Sequence, residues 1–141
     1  QRATADPVGC WLPPTGSSLP AMAEFHEGFG WAAIVIAGHA AGLALVFAAR
    51  RRELPRWFWW LGGAAMGAMV LQVLVGVYLY TQDERPGNQH MFYGFVILFT
   101  LTFGYVYRWQ LQKNAPLRWG LLLLFTMGLG IRAVMTFGES F

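Results

Sequence analysis

Two histidines of this chain share one sequence context. His26, in "EFHEGFGWAAIVI", and His90, in "NQHMFYGFVILF", each open an apolar run and stand four residues before a glycine, Gly30 or Gly94. Residues four apart lie on one helical face, so each imidazole has a residue without a side chain beside it, which leaves room for a flat macrocycle. Neutral imidazoles from facing helices are common haem ligands. The pattern predicts a haem site; the alternative is two interfacial histidines hydrogen-bonded to nearby acids such as Glu24.

Three further polar residues fall inside or beside apolar segments, where ionisable groups are costly and usually face the bundle interior or water. Arg132, near the end of the last apolar segment, is predicted to pair with a haem propionate through its planar guanidinium; alternatively it extends to the headgroups. His39 follows His26 by 13 residues, about 220° around a helix, so it cannot share that ligand face. We expect His39 to hydrogen-bond Gln72, or else to contact a second cofactor or a quinone.

The elements that position these residues are apolar helices. The chain has 141 residues, of which 56% are hydrophobic and 12% charged, a composition that a soluble domain of this size could not bury. Apolar segments near the roughly 20 residues that cross a bilayer predict an all-α, integral-membrane four-helix bundle (residues 28–141) with spans at 28–49, 57–80, 91–107 and 119–137. Residues 1–27 are predicted to form an external, irregular segment.

Basic residues indicate the orientation of the bundle. The connections 50–56 and 108–118 contain seven of the ten Lys and Arg residues, and positively charged connections favour the cytoplasmic side. We therefore expect a multi-pass protein of a bacterial-type cytoplasmic membrane, with both termini on the outer side. His26 and His90 would then lie near the outer face.

The two halves of the bundle share a pattern of sequence features. Each half reads as a histidine, a glycine four residues later, an apolar span, a basic turn, an Arg-Trp pair and a second apolar span. This similarity predicts two duplicated helical hairpins, related by an axis along the membrane normal.

Motifs of soluble chemistry are missing from the sequence. It contains no phosphate-binding loop, nucleophile elbow, zinc-ligand spacing or paired catalytic carboxylates. The basic clusters are accounted for by membrane topology, so nucleic-acid binding is not expected.

Residues 24–108 resemble one half of the haem A synthase family. The resemblance is carried by "EFHEGFGWAAIVIAGHAAG", by "LQVLVG" in the second span and by "HMFYGFVILF" at the third. It implies that His26 and His90 are haem ligands, that Glu24 is the acid before the first ligand, and that "LQVLVG", including Gln72 and Gly76, is a helix-packing motif. A complete synthase has two such halves and the chain supplies one, so we do not expect a complete enzyme.

Two functions remain open at this point. The first is a small, cytochrome-b-like membrane protein that binds haem b and transfers electrons, or handles haem, near an oxidase or quinone enzyme. The second is a cofactor-free accessory subunit of a respiratory or photosynthetic membrane complex. Both imply contact with membrane lipids, and with other membrane subunits or a second copy of the chain.

Overall fold

A computed structural model describes residues 19–82 and 87–139. These residues contain no β-strand, so the predicted all-α class is confirmed. Predictions that concern residues 1–18 lie outside the described residues. The helices are α1 (Leu19–Ala49), α2 (Arg56–Thr81), α3 (Asn88–Val106), the single turn α4 (Arg108–Leu111), a 3-10 turn (Gln112–Asn114) and α5 (Ala115–Met135).

Four helical segments of the described chain are long and apolar enough to cross a membrane. They begin at Pro20, Arg56, Asn88 and Arg108, so this is a multi-pass membrane protein with four spans, as predicted. The first and fourth spans begin earlier than predicted: α1 begins at Leu19 instead of residue 28, and the fourth span begins at Arg108 instead of residue 119. Residues 19–27 are therefore helical, not irregular, and His26 lies within α1.

The long helices form a four-cornered bundle. Helices α1 and α3 each pack against both α2 and α5, whereas no Cα atom of α1 lies within 8 Å of a Cα atom of α3. The two histidine-bearing helices therefore occupy diagonally opposite corners, as a two-fold axis along the bundle would require. The duplication itself stays a prediction.

Small residues allow α1 and α5 to pack closely. Five alanines of α1 are fully buried, and glycines of α5 meet larger side chains of α1. A Cβ at Gly130 would lie 2.8 Å from Cγ1 of Ile34, and one at Gly120 would lie 2.9 Å from Leu45. Helix association in lipid depends on such close packing because water supplies no hydrophobic force there. The buried alanines are Ala33, Ala37, Ala40, Ala41 and Ala44.

Helix α1 ends in a Schellman motif that has arginine where glycine is usual. The Arg52 N–H donates to the Phe47 carbonyl at 2.9 Å, and the Arg51 N–H donates to the Ala48 carbonyl at 3.0 Å, which is the hydrogen-bond pattern of this motif. Arg51 has φ 53°, the left-handed conformation that costs an L residue about 1 to 2 kcal/mol. The chain keeps a cation here at the expense of backbone strain.

Candidate functional site

Two adjoining cavities lie at the end of the bundle where α1 and α3 begin. The deeper cavity has a volume of about 150 Å³ and is almost wholly apolar. The outer cavity has a volume of about 530 Å³, which is within the size range of small-molecule sites. Residues of all four long helices line them. The residues that line both cavities are His26, Gly30, Gln72, Gly76, His90, Met91 and Val134.

The two predicted ligands meet across these cavities. The ring centroids of His26 and His90 are 6.1 Å apart and the ring planes are inclined at 72°. Two imidazoles bound on opposite sides of one metal ion, at about 2.0 Å from nitrogen to metal, would have centroids roughly 6 Å apart. Because α1 and α3 are diagonal neighbours, the packing of all four helices sets this separation.

His90 is held in one orientation by the last helix. Its Nδ1 lies 2.8 Å from the carbonyl oxygen of Ala133 on α5. A carbonyl only accepts hydrogen bonds, so Nδ1 carries the proton and donates, which leaves Nε2 with a free lone pair. Metal-bound histidines are typically oriented in this way. The Phe137 ring also packs nearly perpendicular to the His90 ring, with 5.4 Å between the centroids.

His26 packs against a glycine of α2. A Cβ at Gly76 would lie 2.9 Å from Cε1 of the His26 ring, so any larger residue there would displace the imidazole. The sequence interpretation placed Gly76 in a packing motif and missed its contact with His26. Gly76 follows Gln72 by four residues, so both lie on one helical face. This spacing was the sequence signal that could have placed Gly76 at the site.

Unpartnered polar atoms concentrate in this region. Three buried side-chain nitrogen or oxygen atoms in the described chain have no hydrogen-bond partner, and two of them, Nδ1 of His26 and Oε1 of Gln72, belong to residues that line the cavities. Buried polar atoms nearly always have a hydrogen-bond partner, so each exception needs an explanation. A bound ligand with polar groups would supply one.

The two predicted glycines have different surroundings. A Cβ at Gly30 would lie 2.7 Å from Nε2 of Gln72, which donates to the His26 carbonyl at 2.6 Å. Gly30 therefore makes room for Gln72. By contrast, no atom lies within 4 Å of a Cβ at Gly94, which lines the deeper cavity. Only Gly94 leaves open space of the kind predicted for a macrocycle.

The structure does not bring Arg132 or His39 to the cavities. The exposed Arg132 donates from Nε to the Tyr93 hydroxyl at 3.4 Å, and it lines neither cavity. His39 is exposed on α1, and its Nδ1 lies 2.8 Å from the Val35 carbonyl. The expected hydrogen bond between His39 and Gln72 is therefore wrong, because Gln72 bonds the His26 carbonyl instead.

Acidic residues lie at the mouth of the outer cavity. Glu24, predicted as an additional polar residue of the site, lines it together with Glu27. Among the described residues, no lysine or arginine lines either histidine cavity. The spacing of the two imidazoles and the open space beside Gly94 suit a haem. The acids at the mouth do not suit its propionates, and the predicted cation, Arg132, does not face the cavity.

The comparisons with known proteins give no assignment. No family model, curated protein or solved structure matches the chain. Within the described residues, no three His, Cys, Asp or Glu side chains group as they would around a metal ion. A haem differs from such an ion because its macrocycle supplies four of the iron ligands and the protein supplies the axial ones.

Proposed function

We propose that this protein is a small integral membrane protein that binds one haem b through His26 and His90 and transfers electrons, or handles haem, beside an oxidase or quinone enzyme. The observation that carries the proposal is the 6.1 Å separation of the two imidazoles across cavities between diagonal helices. The hydrogen bond from His90 to Ala133 adds to it, because that bond leaves Nε2 free.

Each helix has its own part in holding the group. His26 on α1 and His90 on α3 would bind the iron. Gly76 on α2 lacks a side chain and so leaves room for the His26 ring. The Ala133 carbonyl on α5 orients His90. Apolar residues such as Ile34 line the deeper cavity and exclude water, which influences redox potential. When bound, haem supplies reversible one-electron chemistry at its iron.

The basic connections support a bacterial-type cytoplasmic membrane as the location, with both termini and the haem site toward the outer side. Residues 50–56 and 108–118 would then face the cytoplasm. An outer position would favour exchange of electrons or haem with partners on that side of the membrane.

The test is an optical spectrum of the purified protein, oxidised and then reduced with dithionite, with haem quantified against protein. We expect a sharp reduced haem b spectrum that is lost in His26→Ala and in His90→Ala. His39→Ala is the matched control because this histidine is exposed and outside the cavities; it should keep full haem content. A colourless protein from cells supplied with ample haem would contradict the proposal.

One observation favours the second function, a cofactor-free accessory subunit of a respiratory or photosynthetic complex. His39 lies in the middle of an apolar span and is exposed on the bundle surface, where a polar group facing lipid is costly. A neighbouring membrane subunit, or a second copy of this chain, would cover it. Haem-free protein that purifies in fixed stoichiometry with a defined redox complex would support this function over the first.

A further inference from the structure

A third cavity lies at the opposite end of the bundle from the histidines. It has a volume of about 750 Å³ and a largely polar lining, drawn from the connection that follows α1 and from the turn that precedes α5. These two stretches are far apart in sequence and meet only in the folded protein. The lining residues used below are Arg51, Arg52, Glu53, Trp59 and Lys113.

The charged side chains that line this cavity have no partners among the described residues. Arg51, Arg52 and Lys113 form no ion pair or hydrogen bond through their side chains within the described residues, and neither does Glu53, the one carboxylate of the lining. Two other cations at this end are engaged. Arg118 donates to the Gln110 carbonyl and Arg108 to the Tyr105 carbonyl at 3.1 Å. Arg50 and Arg56 also have no side-chain partner among the described residues, but neither lines the cavity. Arg51, Arg52 and Lys113 are thus unpaired cations that line one shared space.

The backbone of Arg51 argues that its side chain is needed here. Arg51 adopts φ 53° at a helix end where glycine would avoid the strain. Strained residues persist where the surrounding structure or the function requires them. Membrane topology requires positive charge in this connection but does not require it at the strained position, since Arg50 and Arg56 also supply charge.

The depth of the cavity indicates the source of its ligand. It lies where α1 ends and α5 begins, and one wall is Trp59, a residue type enriched at the level of lipid headgroups. Basic pockets between spans on the cytoplasmic side bind the headgroups of anionic lipids. We propose that this cavity binds the phosphate of an anionic phospholipid headgroup, held by Arg51, Arg52 and Lys113.

The experiment titrates dioleoylphosphatidylglycerol into the full chain, delipidated in neutral detergent, and measures binding by native mass spectrometry. Each cation near a membrane surface contributes about 1 kcal/mol, which converts to roughly fivefold in affinity. We expect Arg52→Gln combined with Lys113→Gln to weaken binding about 25-fold. The control Arg56→Gln removes an exposed cation that does not line the cavity and should change affinity less than twofold.

Arg51→Gly separates lipid binding from folding. The change should weaken phosphatidylglycerol binding about fivefold and, because it relieves the left-handed strain, raise the melting temperature by roughly 2 to 8 °C. A variant that only damaged the fold would lower both quantities. Unchanged lipid affinity in Arg51→Gly would overturn the role of this residue.

Three other results would overturn the proposal. Equal weakening by Arg56→Gln would show diffuse attraction of the whole basic surface. Equally tight binding of dioleoylphosphatidylcholine would remove the requirement for net negative charge. Inorganic phosphate that competes with the lipid, with the same dependence on Arg52 and Lys113, would identify a site for free phosphate instead.

Discussion

The two ends of the bundle handle polar groups in opposite ways. At the histidine end the polar side chains inside the bundle are half-buried, and hydrogen bonds to carbonyls of a neighbouring helix orient some of them, as Ala133 orients His90 and His26 orients Gln72. At the basic end the charged groups are many and exposed, and they come from connections. The first arrangement fixes geometry for one ligand of defined shape, whereas the second supplies charge with little geometric demand. Substitutions at the histidine end should therefore act through shape, and those at the basic end through charge.

Gly94→Leu should have the largest effect of the substitutions that test this contrast, because it should abolish haem binding without destabilising the fold. Leucine would fill the open space beside Gly94 in the deeper cavity, so haem content should fall from one per chain to near zero. Filling a cavity commonly stabilises a protein by about 0.5 to 2 kcal/mol, so the haem-free variant should melt at or above the temperature of haem-free wild type. Haem quantification and thermal melts check both expectations. Full haem content in this variant would show that the macrocycle does not use the space beside Gly94.

Gly76→Val should reduce haem content and stability together. Its side chain would meet the His26 ring, which lies 2.9 Å from the position of a Cβ, and overpacking of this kind costs about 1 to 3 kcal/mol. Gly63→Val is the matched control, because no atom lies within 4 Å of its Cβ position. Thermal melts and haem content of the two variants should diverge; equal behaviour would argue against a ligand role for His26.

Gln72→Met should have an intermediate effect that is confined to the haem. The change keeps the side-chain length but removes the hydrogen bond to the His26 carbonyl and the unpartnered Oε1. Groups that orient metal ligands typically account for 10- to 100-fold in affinity, so we expect about tenfold weaker haem binding in a titration of the haem-free protein. Phosphatidylglycerol binding at the other end should not change. A loss at both ends would indicate general unfolding.

Arg132→Gln should have the smallest effect. The guanidinium is exposed and engages Tyr93 through a 3.4 Å contact outside the cavities, and surface contacts of this kind contribute within about 0.5 kcal/mol. Haem affinity and melting temperature should both stay close to wild type. A large loss of haem affinity would show that Arg132 reorients toward the cavity when haem binds, as the sequence interpretation expected.

Sequence patterns predicted the structural features that depend on the order of residues within a single helix. The four spans, and the presence of His26 and His90 at one end of the bundle, follow from apolar length and from repeated spacing, and the structure has both. The start of α1 at Leu19 was missed because charged residues such as Glu24 and Glu27 continue a helix as readily as they end an apolar segment.

The direction in which a side chain points could not be predicted, because it depends on how one helix is rotated against its neighbours. Arg132 turns toward Tyr93 and His39 turns outward, although both lie in apolar segments that suggested inward positions. Gly30 and Gly94 match in sequence, yet one packs on Gln72 and the other faces open space. These differences arise from packing between helices, which spacing within one helix does not encode.

The hydrogen bond between His90 and Ala133 also bears on how the protein is made. Ala133 lies near the end of the last span, 43 residues after His90, so a ribosome has synthesised three spans before the carbonyl that orients His90 exists. Haem capture would therefore follow insertion of the complete bundle instead of accompanying it. A chain truncated before α5 would keep both histidines but lack the carbonyl that orients His90. Under the proposed function, bound haem would therefore report that α5 has joined the bundle.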